Sequence, residues 1–188
     1  MLDNKFQHLE HGWKTGPLLE QVLAHPELWD KSLSVWSQKL GPHAQSHSMW
    51  LRGEDEGPYL RRGSWSGYNQ SPHYPIWFPE SDVLTECKKL IFDTMTMAKG
   101  ESLGNVLIYT VPPGKRIIEH ADDSWSVRYN DKFNICLSSN IGASFKYEDD
   151  EFYQRPGDVT FFRNDIPHSV VNNGDTDHII LCVCLHRE

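Results

Sequence analysis

The sequence predicts a mainly β fold with flanking helices, in which a jelly-roll core is backed by two or more helices. Helical periodicity is confined to the first 100 residues, whereas short β-branched and aromatic runs alternate with turn residues after Leu103. The 188 residues include 13 Gly and 11 Pro, and 12% are aromatic, which is typical of a turn-rich β fold. We expect one domain over 1–188, with helical support, a strand and an aromatic loop in 1–100 and the jelly roll in 101–188.

Two helices are expected in the N-terminal half. The first begins at Thr15-Gly16-Pro17, because a proline in the first turn loses no hydrogen bond, and Pro26 ends or restarts it. The second begins with Ser81 as its cap and ends at Lys99-Gly100. Apolar residues beyond Pro26 are expected to continue the cover of the core: Leu28, Trp29, Leu33 and Trp36.

Strands are expected from Ser46 to Arg52 and then throughout the C-terminal half. The turn Pro112-Pro113-Gly114 joins two of them and predicts a hairpin whose second strand delivers His120-x-Asp122. The segment Gly53–Pro79 is long and rich in aromatic residues, which favours an ordered lid over a linker. The predicted C-terminal strands are 105–111, 115–121, 127–137, 143–147, 158–162, 168–172 and 178–186.

Composition excludes several classes of protein. The net charge of -8 and the lack of a Lys/Arg block disfavour binding to nucleic acid or to an anionic membrane. No apolar stretch resembles a signal peptide or a membrane span. The four cysteines form no CxxC pair, so we expect reduced core residues in a cytoplasmic protein.

A histidine two residues before an acid occurs four times, but only His120-x-Asp122 ends a predicted strand that begins directly after a tight turn. There the strand period of two places both side chains on one face. His8 and His25 fall in segments without strand character and are expected to be solvated. His168 begins a later strand, and jelly-roll strands far apart in sequence pair, so we expect it to face His120. Two imidazoles and one carboxylate are the ligands of non-haem Fe(II) oxygenases.

With these residues in place, the sequence resembles the Fe(II)/2-oxoglutarate-dependent oxygenases, and among them the aspartyl/asparaginyl β-hydroxylase-like branch. The resemblance implies a cupin-like double-stranded β-helix with Fe(II) on His120, Asp122 and His168, and with 2-oxoglutarate and O₂ as cosubstrates. It implies hydroxylation of an unactivated C–H of a small molecule or of a peptide Asp/Asn-type side chain. The segments that carry it are Pro113-Gly114, Ile118–Asp122, Lys132–Leu137, Pro156–Asp158, His168–Gly174 and Ile179–Val183.

The sequence departs from this family at the cosubstrate. His178 stands where the family places an Arg for the distal carboxylate, and an imidazole does not replace a bidentate guanidinium. Lys132 and Arg128 are candidates for the missing cation, with Arg116 at the rim, and the resemblance assigns Tyr109 to the same carboxylate. Three further residues are candidates for substrate contact: Arg52, Trp65 and Tyr68.

Two other functions fit the same residues. A cupin-like metal-binding or ligand-binding module without oxygenase activity is favoured by His178 in place of Arg. A zinc or manganese hydrolase or isomerase on a similar barrel would use the same three ligands.

Overall fold

The computed structural model describes residues 5–32, 40–148 and 150–188. Eleven strands occupy these residues: β1 (Phe6–Glu10), β2 (His47–Gly53), β3 (Ile76–Trp77), β4 (Ser102–Val111), β5 (Arg116–His120), β6 (Asp131–Ser138), β7 (Ala143–Tyr147), β8 (Asp150–Phe152), β9 (Val159–Phe162), β10 (His168–Asn172) and β11 (His178–His186). The helices are α1 (Gly16–Ala24), α2 (Gly57–Arg62), α3 (Glu80–Val83), α4 (Cys87–Ala98) and α5 (Trp125–Tyr129), with a 3₁₀ turn at Pro26–Leu28. The predictions for Leu33 and Trp36 lie outside the described residues.

The strands form two antiparallel sheets that face each other, which confirms the predicted jelly roll. The large sheet has the order β1-β9-β6-β11-β4-β2-β3, and the small sheet has the order β5-β10-β7-β8. β1, β2 and β3 come from the first 100 residues, so the N-terminal half contributes to the large sheet as well as supplying helices. No helix among the described residues is long and apolar enough to cross a membrane.

The apolar core has two layers, one on each face of the large sheet. α1 and α4 cover the outer face, where Leu18 and Ile91 join a cluster with Ile108 and Leu181. Between the sheets lies a second, largely aromatic cluster: Phe6, Val111, Ile117, Phe145, Tyr147, Phe162 and Val170. β11 is buried on both faces because it lies between these layers, which explains its almost continuous apolar sequence.

The predicted hairpin at Pro112-Pro113-Gly114 is wrong. β4 pairs with β2 and β11 in the large sheet, whereas β5 pairs with β10 in the small sheet. The turn therefore carries the chain from one sheet to the other. Its two prolines offer no N–H donors for a ladder, and Gly114, at φ 70°, donates its N–H to the Asn172 carbonyl at 2.8 Å.

Other boundaries differ for local reasons. The strand predicted at 127–137 begins only at Asp131, because residues 125–129 form α5 with Ser124 as its cap. The helix predicted from Ser81 is interrupted at residues 84–86 between α3 and α4. His8 was assigned to a non-strand segment, but it lies on β1, an edge strand of the large sheet. The predicted loop Gly53–Pro79 contains α2 and β3.

Polar residues at the end of β10 and in the following turn connect the small sheet to β4 of the large sheet. Asn172 is fully buried, and its Nδ2 donates to the Val111 carbonyl at 2.7 Å and to the Thr176 carbonyl at 2.8 Å. A Cβ at Gly174 would lie 1.8 Å from Asn140 Oδ1, so only glycine fits this approach. The turn thereby links β10 to β4 and holds β10 in position.

Candidate metal centre

His120, Asp122 and His168 meet at one end of the two sheets. His120 is the last residue of β5 and His168 is the first residue of β10, and the antiparallel register makes them direct partners. Their ring centroids are 4.5 Å apart, and His120 Nε2 lies 3.4 Å from Asp122 Oδ1. The fold thus brings together three residues separated by up to 48 positions in the sequence.

Backbone hydrogen bonds fix the orientation of both rings. His120 Nδ1 donates to the Ile118 carbonyl at 2.8 Å, and His168 Nδ1 donates to the Ile166 carbonyl at 2.9 Å. A carbonyl oxygen can only accept, so in each neutral ring Nε2 carries the free lone pair. Burial lowers the pKa of His168 to about 4, which keeps that ring neutral near pH 7. Both imidazoles are therefore prepared as metal ligands.

Asp122 is held as a carboxylate by its neighbours. Lys132 Nζ lies 2.6 Å from Asp122 Oδ2, and Asn164 Nδ2 donates to the same oxygen at 2.9 Å. Burial alone would raise the pKa of Asp122, but the Lys132 charge and the hydrogen bonds from Lys132 and Asn164 hold it well below its usual range. The backbone carbonyl of Asn164 also accepts the Asp122 backbone N–H at 2.8 Å, which fixes the loop after β5.

His43 is a fourth member of this centre that the sequence did not reveal. His43, His120 and Asp122 each offer a ligand atom within 4.8 Å of the others, a set that does not include His168. The ring centroids of His43 and His120 are 4.9 Å apart, almost as close as those of His120 and His168. Ile118 on β5 donates its N–H to the Pro42 carbonyl at 3.1 Å, which places His43 beside the site. Burial lowers the pKa of His43 to about 4.

The only sequence signal for His43 is the segment Gly41–Ala44. This segment resembles the β-hydroxylase-like oxygenases, but it shows no residue spacing that is typical of metal ligands. Backbone hydrogen bonds fix the rings of His120 and His168. His43 lies beside them as an additional imidazole.

A polar strip runs inward from Lys132 along the inner face of the large sheet. Asn134 follows on the same face of β6, and its Nδ2 donates to Tyr109 Oη at 3.3 Å. Asn134 Oδ1 is buried and has no hydrogen-bond partner among the described residues. Burial would lower the pKa of Lys132, but the Asp122 charge raises it overall, so the amine stays protonated. The strip combines one cation with hydroxyl and amide groups, which suits a carboxylate ligand.

His178 lies buried at the start of β11 and is only 2% exposed. Its Nδ1 is 3.0 Å from Ser139 Oγ. Burial lowers the pKa of His178 to about 4, so the ring is uncharged near pH 7. His178 therefore cannot supply the positive charge of the Arg that the family has at this position.

The other residues predicted to contact cosubstrate or substrate are not among the residues that surround Asp122. Arg128 is exposed on α5 and pairs with Asp123, and Arg116 is exposed on β5. Trp65 and Tyr68 form an aromatic group with Tyr59, with ring centroids 5.0–5.8 Å apart.

Arg52 lines a cavity of about 510 Å³ that contains none of the candidate metal ligands. Trp125 and Tyr129 of α5 also line it, and Trp125 follows Asp122 by three residues. His73 lies in the same wall, with Nδ1 buried and unpartnered among the described residues. The volume suits a small ligand.

Known proteins resemble this chain in sequence family and in fold. The family model described as aspartyl/asparaginyl β-hydroxylase matches residues 80–188, more than half of the chain. None of the curated proteins gives a significant match. An oxidoreductase of the 2OG-Fe(II) oxygenase family from Burkholderia pseudomallei is 12% identical, with a TM-score of 0.54 over 97% of this chain and 96% of that one.

A viral collagen prolyl hydroxylase from Paramecium bursaria Chlorella virus-1, solved in complex with 2OG, is 11% identical to this chain. Its TM-score is 0.55 over 99% of this chain and 97% of that one. These two structures share the fold over almost the whole length of each chain.

Proposed function

The chain belongs to the aspartyl/asparaginyl β-hydroxylase family and is a 2-oxoglutarate-dependent hydroxylase; on this premise we propose that Fe(II) binds to His120, Asp122 and His168. The observation that carries the assignment is the direct pairing of His120 with His168, both with Nε2 free and both beside an ionised Asp122. Two neutral imidazoles and one carboxylate are the donor set that Fe(II) takes in these oxygenases. We further propose that 1–188 forms one catalytic domain.

The chain's own residues prepare this centre. Asn164 and Lys132 hold Asp122 in place and keep it ionised, so no proton has to leave when the metal binds. When bound, Fe(II), 2-oxoglutarate and O₂ together supply the oxidising power for C–H hydroxylation, with succinate and CO₂ as the other products. His43 stands beside the same point and contributes a further imidazole at the edge of the site.

Lys132 and Tyr109 are the residues we assign to 2-oxoglutarate. Lys132 carries the only positive charge of the inner strip within the described residues, and Tyr109 is hydrogen-bonded to Asn134, two positions along β6 from Lys132. The Tyr109 pKa is raised well above its usual value by burial, so its hydroxyl remains a donor. These groups take over the role that the neutral His178 cannot fill. Arg128 is left out because it pairs with Asp123 at the surface.

The substrate is proposed to be a small molecule or a peptide Asp/Asn-type side chain that enters beside α5. The cavity next to the metal centre supports this choice, since it combines the Arg52 guanidinium with the aromatic rings of Trp125 and Tyr129. Arg52 Nε is buried without a partner among the described residues, so a substrate carboxylate would satisfy it. Trp65 and Tyr68 lie behind His73 in the lid and shape this wall.

The test is anaerobic addition of Fe(II) and 2-oxoglutarate to the purified protein. Chelation of the keto acid by Fe(II) is expected to give a weak visible charge-transfer band, and admission of O₂ should release succinate. His120→Ala and His168→Ala should each lose the band, whereas His25→Ala at an exposed surface pair should keep it. A wild-type protein without band or succinate contradicts the assignment.

A further inference from the structure

A second cluster of metal-ligating side chains lies at the edge of the large sheet. It comprises His8 on β1, His11 just beyond the end of β1, and Asp158 just before β9, and we call it the edge cluster. One ligand atom from each lies within 4.8 Å of the others. His11 Nδ1 is 2.7 Å from Asp158 Oδ1, and His8 Nδ1 is 3.8 Å from Asp158 Oδ2. Each carboxylate oxygen is therefore faced by its own imidazole.

The backbone holds the edge cluster together. β1 pairs with β9, and the register shifts between His8 and Glu10. Trp13 donates its N–H to the Gly157 carbonyl at 3.0 Å, so the segment after β1 is tied to the turn before Asp158. Gly157 has a φ of 88°, and a Cβ there would lie 2.8 Å from the Trp13 carbonyl oxygen. This close approach requires glycine and fixes the spacing of the three ligands.

The charge arrangement favours a cation between these groups. Asp158 is only 5% exposed, and one of its oxygens accepts the Arg155 backbone N–H at 2.8 Å. Among the described residues, the side-chain ion pairs of Asp158 are with the two histidines alone. Both histidines remain partly exposed, so solvent can reach the point where the Nδ1 atoms converge. A single ion pair needs one imidazole, whereas two nitrogens and a carboxylate match a three-ligand zinc site that is completed by water.

We propose that the edge cluster binds Zn²⁺ and is separate from the iron centre. Asp158 and Asn164, whose side chain contacts Asp122, are separated by β9 and Arg163, and the four residues of β9 alone span about 13 Å. Bound zinc joins β1 to the turn before β9 and so attaches the N-terminal strand to the barrel. The site does not depend on hydroxylase activity, and its test does not use turnover.

Zinc alone is the probe, titrated by calorimetry into protein without an affinity tag. His120→Ala/His168→Ala removes the central ligands, and this variant should still bind one Zn²⁺ per chain. Adding His11→Ala should abolish that binding, whereas adding His25→Ala should not, because His25 lies in an exposed pair away from the cluster. Zinc should also raise the melting temperature of the His120→Ala/His168→Ala variant. It should not raise that of the variant that carries His11→Ala as well.

His11 is largely exposed, so its loss should leave the fold intact, and circular dichroism verifies this. The proposal is overturned if the His120→Ala/His168→Ala variant binds no zinc. Equal zinc binding with and without His11 overturns it as well.

Discussion

His120 and His168 are direct cross-strand partners, although 48 positions separate them in the sequence. Each ring donates from Nδ1 to the carbonyl of the residue two positions earlier in the chain. The same local bond therefore fixes both rings and leaves both Nε2 atoms free, with that of His120 3.4 Å from Asp122 Oδ1. The centre is therefore pre-organised by the backbone, and mutations can be matched to single contacts within it.

Asn164→Ala should weaken Fe(II) binding by about 10- to 100-fold, because Asp122 loses the side-chain donor that orients it. Anaerobic titration with Fe(II) measures this change. Asn173→Ala, in the exposed turn after β10, provides the control and should bind Fe(II) normally. Unchanged affinity in Asn164→Ala would show that the strand ends alone position Asp122.

Lys132→Met should lower 2-oxoglutarate affinity by a free energy of about 1.5–3 kcal/mol, or roughly ten- to a hundredfold, since one charge-assisted hydrogen bond is lost. Titration of the charge-transfer band at saturating Fe(II) gives the affinity. Arg128→Met is the matched control, because Arg128 is an exposed cation that pairs with Asp123. If Arg128→Met weakens binding and Lys132→Met does not, the assignment of the cation is wrong.

His43→Ala should lower Fe(II) affinity by about tenfold, or ~1.4 kcal/mol, because a neighbouring neutral imidazole is removed. His120→Ala and His168→Ala should lower it much further. His47→Ala is the control, since His47 lies four residues away and contacts Asp30 at the surface. Equal affinity in wild type and His43→Ala would place His43 outside the metal's coordination.

His178 makes the metal-free protein sensitive to acid. Its pKa is about 4 in the folded chain, and an unfolded histidine titrates near 6.5. Between these values the unfolded chain binds one more proton, so the free energy of unfolding falls as pH falls, by about 1.4 kcal/mol per pH unit. Above about pH 6.5 this effect is absent.

His178→Gln should remove the contribution of one titrating histidine to the pH dependence of the free energy of unfolding. Urea unfolding of the metal-free protein between about pH 4.5 and pH 6.5 measures it. The variant should have a shallower slope than wild type but not a flat one, because the pKa values of His43 and His168 are lowered in the same direction. A His178→Gln slope equal to that of wild type would contradict the prediction.

The sequence was sufficient for the jelly roll because its C-terminal strands carry strong apolar patterns. The predicted boundaries of β7, β10 and β11 agree with the structure. The strand predicted at 127–137 overlaps only the end of α5. Ser124, whose Oγ accepts the Val127 N–H at 3.4 Å, is the helix cap that the prediction did not include.

β1 was missed for a related reason. Phe6 is the only fully buried residue of this edge strand, so the sequence shows almost no period of two. The close approaches of His8 to Asp158 and of His43 to His120 depend on long-range packing that leaves no local pattern. By contrast, His168 could be predicted because it begins a strand that follows a short polar turn.

His168 and His120 lie on strands that are held differently within the small sheet. β10 lies between β5 and β7, and the His168 ring stacks on Phe145 with centroids 5.5 Å apart and an angle of 5°. β5 is an edge strand, flanked on its open side by the Pro42 carbonyl. Edge segments open locally at lower free energy than interior strands. His168 is thus the more firmly held of the two histidines, and we expect local opening of the metal centre to begin on the His120 side.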